Sequence, residues 1–185
     1  KELFAKEGLL DESRRRKLPR YPKSIAILTS VPSSALADML RTAKERWPLT
    51  RLFIIPISVQ GSVAGDIQSV LKGLAIKSRS LDLAAIVLAR GGGSREDLMV
   101  FDDEELCREL ANFPIPVVTG LGHEDDLTVA DLVADHRSAT PTAAIVDLLP
   151  SCEMAREYCT QRRSRLNDYF SWFIHREKQN FSEKS

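Results

Sequence analysis

The sequence predicts an α/β domain built on a doubly wound, mainly parallel sheet of at least four strands, with a C-terminal helical extension. Three observations lead there. Short, almost wholly apolar runs recur within residues 24–150, as at 25–29 and 83–89, and strands buried on both faces read this way. Stretches with helical periodicity separate those runs, and that alternation implies parallel crossovers. Turns rich in glycine or serine follow the runs, as at Gly91-Gly92-Gly93 and Gly120-Leu121-Gly122.

The elements follow in order. Residues 1–23 form a connector holding the basic run Arg14-Arg15-Arg16-Lys17 and ending near Pro19 and Pro22. Such a run is expected to be solvated. The domain spans 24–150. Its first strand, 25–29, leads through Ser30-Val31-Pro32-Ser33-Ser34 into a helix that reaches Trp47 and stops at Pro48. A second strand is expected over 52–59, closed by Gly61, then a helix over 64–76. A third strand, 83–89, precedes the three glycines and a helix-rich stretch to Asn112. Ser94 and Asp97 have the spacing of a capping box at its start. The acidic stretch 102–105 reads as a charged helix start, with weak support for a metal site at Asp102 or Asp103. A fourth strand covers 116–119, and short helices follow over 128–134 and 142–149. Residues 151–185 hold no glycine or proline, and Met154, Tyr158, Leu166, Phe170 and Phe173 recur among charged residues. They read as the start of a coiled-coil-like helix.

Composition narrows the function. The chain has 185 residues, 43% hydrophobic and 28% charged, which suits a globular protein. No apolar run could span a bilayer, and no leader sequence is visible. Three cysteines, Cys107, Cys152 and Cys159, lack zinc-ligand spacing and read as reduced thiols in a cytoplasmic protein. Net charge is zero overall but uneven: +4 over 1–24, −6 over 25–150 and +2 over 151–185. So acidic a core is no bulk DNA-coating surface, and contact with a polyanion would need a local positive site.

Ligands of an open parallel sheet bind beyond the carboxyl ends of its strands. No G-x-G-x-x-G follows the first strand, which disfavours an ordinary dinucleotide fold. After the third strand comes Arg90, then Gly91, Gly92, Gly93 and Ser94. Unshielded glycine amides beside a cation suited to bidentate contact make a phosphate cradle. After the fourth strand, His123 sits behind Gly122 and ahead of Glu124, Asp125 and Asp126. Histidine carries protons near neutral pH, and a neighbouring carboxylate can orient it. Asp38 points away from the apolar stripe of its helix and, taken alone, reads as a surface acid. His136 and His175 have no such surroundings and are assigned no role.

These stretches resemble one family. Ile27-Leu28-Thr29-Ser30, Val59-Gln60-Gly61 with Ala64, and Arg90-Gly91-Gly92-Gly93-Ser94 with Glu96-Asp97-Leu98 are similar to the catalytic region of exodeoxyribonuclease VII large subunits. So are Phe101 with Asp103-Glu104, Gly122-His123-Glu124 with Asp126, Ala130-Asp131 with Val133-Ala134-Asp135, and Arg137 with Ala139-Thr140-Pro141-Thr142-Ala143-Ala144. Asp125 stands where threonine is usual, and 98–101 lack the usual tryptophan. The resemblance implies hydrolysis of single-stranded DNA from both ends to short 5′-phosphorylated products. It places catalytic residues at Asp38, Arg90, His123 and Asp126, with no strict metal requirement, though a divalent ion such as Mg is admissible. It also implies an OB-fold and a long helical extension binding small subunits. No OB-fold is read in this sequence and the helix only begins, so the chain reads as a fragment whose partners would be single-stranded DNA and a small subunit.

In the expected mechanism Arg90 and the amides of residues 91–94 hold the phosphate. His123 serves as general base or acid, Asp126 orients it, and Asp38 positions water or a second proton. Two other classes compete: a phosphate- or nucleotide-binding domain of a transferase, and a non-catalytic interaction module. The first predicts mononucleotide binding without cleavage, the second neither.

Overall fold

The computed structural model describes residues 1–58, 63–91, 95–122 and 127–182. They fall into two compact units, Lys1–Pro150 and Ser151–Ser185. The first is built on strands β1 (Ser24–Thr29), β2 (Arg51–Pro56), β3 (Ala85–Ala89), β4 (Val117–Gly120) and β5 (His136–Arg137). They form one sheet in the order β2-β1-β3-β4-β5, and every neighbouring pair is parallel. The expected parallel sheet is therefore present, with a fifth strand beyond the four read from sequence. Two residues are too short a run to show periodicity.

Helices cover both faces because alternate residues of each buried strand point to opposite sides. On one face Ile25, Ile27, Val87, Ala89 and Val118 pack with Leu36 and Met39 of α2 (Ser34–Arg46) and Ile145 and Leu148 of α6 (Pro141–Leu148). On the other, Ala26, Leu28, Ile86, Leu88 and Val117 pack with α3 (Ala64–Lys77), α4 (Glu104–Ala111) and α5 (Val129–Val133). Local chemistry fixes the helix starts. Ser33 caps α2, its Oγ accepting from the Leu36 amide at 3.2 Å. Asp103 caps α4 by accepting from the Leu106 amide at 2.9 Å, as the acidic start of that helix suggests. Thr128 and Asp131 form a reciprocal capping box on α5. β2 ends at Pro56 on the sheet edge, where a missing N–H costs no bond to β1, and the Ile57 amide still donates to the Thr29 carbonyl at 3.0 Å.

The connector docks on this unit through α1 and Arg16, while Arg14, Arg15 and Lys17 of the basic run are exposed, as expected. Phe4, in α1 (Glu2–Lys6), is buried, and the Arg108 guanidinium lies over its ring at 5.2 Å. Arg108 also donates to Glu7 at 2.5 and 2.9 Å. Within the basic run, Arg16 donates to Asp135 through its backbone N at 2.7 Å, Nε at 2.9 Å and Nη2 at 2.7 Å, and its Nη1 reaches the Phe113 carbonyl. Arg14 donates to the carbonyls of Leu9 and Ala111, each at 3.3 Å.

The second unit is the helix α7 (Cys152–Ser182). Tyr158, Leu166, Tyr169, Phe170, Trp172, Phe173 and Ile174 are all exposed along it. No helix of the described residues is long and apolar enough to cross a membrane.

Candidate active site

The crossover from β1 runs through α2 on one face, while β3 is followed by α4 on the other. The carboxyl ends of β1 and β3 are thus a topological switch point, where such folds open a crevice. Arg90 stands there. Its amide donates to the Gly120 carbonyl at 3.2 Å, carrying the β3–β4 ladder one residue past β3. Its side chain is 4% exposed, and Nη2 donates to Asp97 Oδ2 at 3.0 Å. Asp97 belongs to a 3-10 helix, Arg95–Asp102, whose Leu98 and Phe101 join the core on the α3–α5 face. The guanidinium therefore lies on that face. Asp97, expected from sequence to serve a helix cap with Ser94, turns its carboxylate to Arg90.

Gly91 points the other way. A Cβ built on it would lie 3.3 Å from the Cβ of Ala35 in the first turn of α2. Glycine there lets the loop press on the helix start. Asp38 is three residues beyond Ala35 and so on the same side of α2. It is partly exposed and accepts from Arg41 Nη2 at 2.6 Å. β4 is shaped by a second close approach: a Cβ on Gly120 would meet the Thr140 carbonyl at 2.8 Å and Pro141 at 3.1 Å. The hydroxyls of Thr29 and Thr119, at the ends of β1 and β4, are buried with no hydrogen-bond partner.

The other expected site residues, Gly92, Gly93, Ser94, His123 and Asp126, lie outside the described residues; so does Val59, while residues 57 and 58, expected in the second strand, follow its end at Pro56. Topology still locates their anchors. Residues 123–126 join β4 to α5, the helix on the face that bears Arg90. Register pairs Arg137 of β5 with Thr119 of β4, and Thr119 shares a face with Val117 by alternation. Arg137 is thereby placed on the Arg90 side. Among the described residues no group of three or more His, Cys, Asp or Glu sits close enough to hold a metal ion, so the Asp102 and Asp103 suggestion gains no support. Asp102 accepts from the Val129 amide at 2.7 Å and Asp103 from Gln68 at 3.1 Å.

Sequence reasoning missed three pairings. Besides Arg90–Asp97 there is Arg16–Asp135, described above. The third joins β5 to α6: Asp147 Oδ2 accepts from Ser138 Oγ at 2.7 Å and meets His136 Nε2 at 3.0 Å. Burial would raise the Asp147 carboxyl, but bonds from Ser138 and His136 hold it below the ordinary carboxylate range. Burial would likewise raise Asp135, and its bonds from Arg16 and from the Val117 amide outweigh that and depress it. Cys107 goes the opposite way: burial first, then nearby Asp102, Asp103 and Asp131, push its thiol up to about 12.

Comparison with known proteins bears on this geometry. The family Exonuclease VII, large subunit, matches residues 9–185. The exodeoxyribonuclease 7 large subunit of Synechococcus sp. (strain CC9311) is 69% identical over 166 residues, covering 90% of this chain and 43% of that protein. That of Synechococcus sp. (strain CC9605) is 64% identical over 185 residues, covering the whole chain and 48% of the relative. A more distant one, from Carboxydothermus hydrogenoformans, is 39% identical over 180 residues, 97% of this chain and 38% of the relative. The chain spans about half the length, or somewhat less, of the curated relatives it matches. With the match running unbroken from the connector through the strand ends into α7, the chain belongs to the exonuclease VII large-subunit family.

Proposed function

We propose that this chain is the catalytic region of a large subunit that hydrolyses phosphodiester bonds in single-stranded DNA, working from both ends and releasing short 5′-phosphorylated products. The observation that carries the reading is Arg90. A guanidinium is buried at the switch point of an open parallel sheet, immediately before the glycine loop. Burying a cation is costly unless it is paired; Asp97 supplies a carboxylate partner, and a guanidinium fork held at a strand end is also suited to phosphate oxygens. Family membership agrees with this reading.

In the proposed reaction Arg90 and the amides of residues 91–94 hold the scissile phosphate and offset charge as it develops. His123 removes a proton from water, whose oxygen bonds to phosphorus as the bond from phosphorus to the 3′ oxygen breaks. The departing 3′ oxygen takes up a proton, and the phosphate stays on the 5′ carbon of the released product. Asp126 orients His123, and Asp38, partly exposed on α2, positions water or a second proton. A guanidinium and an imidazole can together neutralise phosphate charge and move this proton, so the reaction is expected to survive EDTA. Exposed aromatic residues on α7 are the proposed contact for the small subunit. The test is degradation of matched single- and double-stranded oligonucleotides by the full-length subunit with its small subunit, with and without chelator. Selective loss of the single strand supports the reading. Mononucleotide binding without cleavage would instead favour a transferase.

A further inference from the structure

Resting on the assignment of Arg90 above, we infer that Asp97 is a positioning residue of the nuclease site: it fixes the Arg90 guanidinium. Arg90 and Asp97 are seven residues apart, and residues 91–96 lie between them. Three of those are glycine, the residue with the most backbone freedom to lose. The Nη2–Oδ2 bond of 3.0 Å ties side chains on the two sides of that stretch. Both ends are seated independently. The Arg90 amide is bonded to Gly120 of β4, and the 3-10 helix bearing Asp97 buries Leu98 and Phe101 in the core. The carboxylate therefore acts from a fixed base on a cation with little room to turn. A guanidinium recognises phosphate through a planar fork, so its orientation matters as much as its charge, and small misplacements of a phosphate contact are costly to catalysis.

The alternative role has the opposite sign. If Asp97 only neutralised Arg90, its removal would leave a more positive site and tighter binding of DNA, with turnover kept. If it positions Arg90, turnover falls while binding holds or tightens. Asp97→Ala removes both bond and charge, whereas Asp97→Asn keeps the shape and an acceptor oxygen. In the full-length subunit with its small subunit, Asp97→Ala is expected to lower kcat on a single-stranded oligonucleotide by roughly 30-fold or more, with KM unchanged or lower. Asp97→Asn should retain several-fold more of the turnover than Asp97→Ala.

Non-additivity gives the sharper reading. In an Arg90→Ala background, Asp97→Ala should cost less than about threefold further, because the group it positions is gone. Thermal melts of Asp97→Asn separate folding from function. Turnover within twofold of wild type in Asp97→Ala, beside a crippled Arg90→Ala, would overturn this inference and leave the Arg90 assignment standing. Multiplying losses in the double variant would overturn it too. Near-normal turnover in Arg90→Ala itself would overturn both.

Discussion

Arg90 shows how one residue takes its meaning from its surroundings. Its position after an apolar strand and before three glycines marks it in the sequence. That it would be buried and held by Asp97 is not visible there, because the spacing of Ser94 and Asp97 also fits a capping box. Cys107 is a second case where burial decides chemistry. Its thiol donates to the Phe101 carbonyl at 3.3 Å, and a pKa of about 12 leaves almost no thiolate at neutral pH. Cys159 is exposed on α7. Iodoacetamide at pH 8 should therefore label Cys159 readily and leave native Cys107 unmodified until the chain is unfolded; equal labelling in the native state would contradict the burial.

Among elements, the strands most legible in sequence are those buried on both faces. β3, and β1 between its terminal Ser24 and Thr29, are apolar because helices cover both their sides. β2, at the sheet edge, is only half-buried, and β5 owes its existence to hydrogen bonds with β4 rather than to any pattern of its own. In the connector only Arg16 departs from the solvated run: four basic residues in a row give no sign that a buried carboxylate 119 positions away will capture one of them. That clamp has a measurable consequence. Arg16→Ala removes the ion pair and two of the four donors to Asp135, leaving the amides of residues 16 and 117, and should destabilise the first unit by about 1–3 kcal/mol, lowering Tm by several degrees. A loss under about 0.5 kcal/mol in urea titration would show that the clamp is dispensable. Because Asp135 has a depressed pKa when folded, its contribution is present above the ordinary aspartate value of about 3.9. It disappears as pH falls through that value toward the folded one. The wild-type chain should accordingly lose part of its acid stability in that window, and Arg16→Ala should lose less.

On the scale of the molecule, charge and site pull in different directions. Residues 25–150 carry a net charge of −6 around the proposed phosphate site at Arg90, so long-range attraction for a polyanion is weak or adverse. Single-strand affinity ordinarily comes from a basic groove with stacking aromatics, and here the exposed aromatic rows lie on α7. The chain of 185 residues by itself should bind a labelled single-stranded oligonucleotide only weakly, above the micromolar range. Submicromolar binding by fluorescence anisotropy at low salt would overturn that electrostatic reasoning.

Chemistry, as distinct from capture, is best tested in the full-length subunit assembled with its small subunit. The most direct measurement is the single-turnover rate of single-stranded DNA degradation for wild type, Arg90→Ala and His123→Ala, with circular dichroism to verify the fold. Each substitution is expected to slow cleavage by at least ~100-fold, the usual loss for a charge-stabilising or acid–base group, while leaving the fold intact. A folded variant of either kind that cleaves at nearly the wild-type rate would contradict the placement of the nuclease site at the ends of β3 and β4.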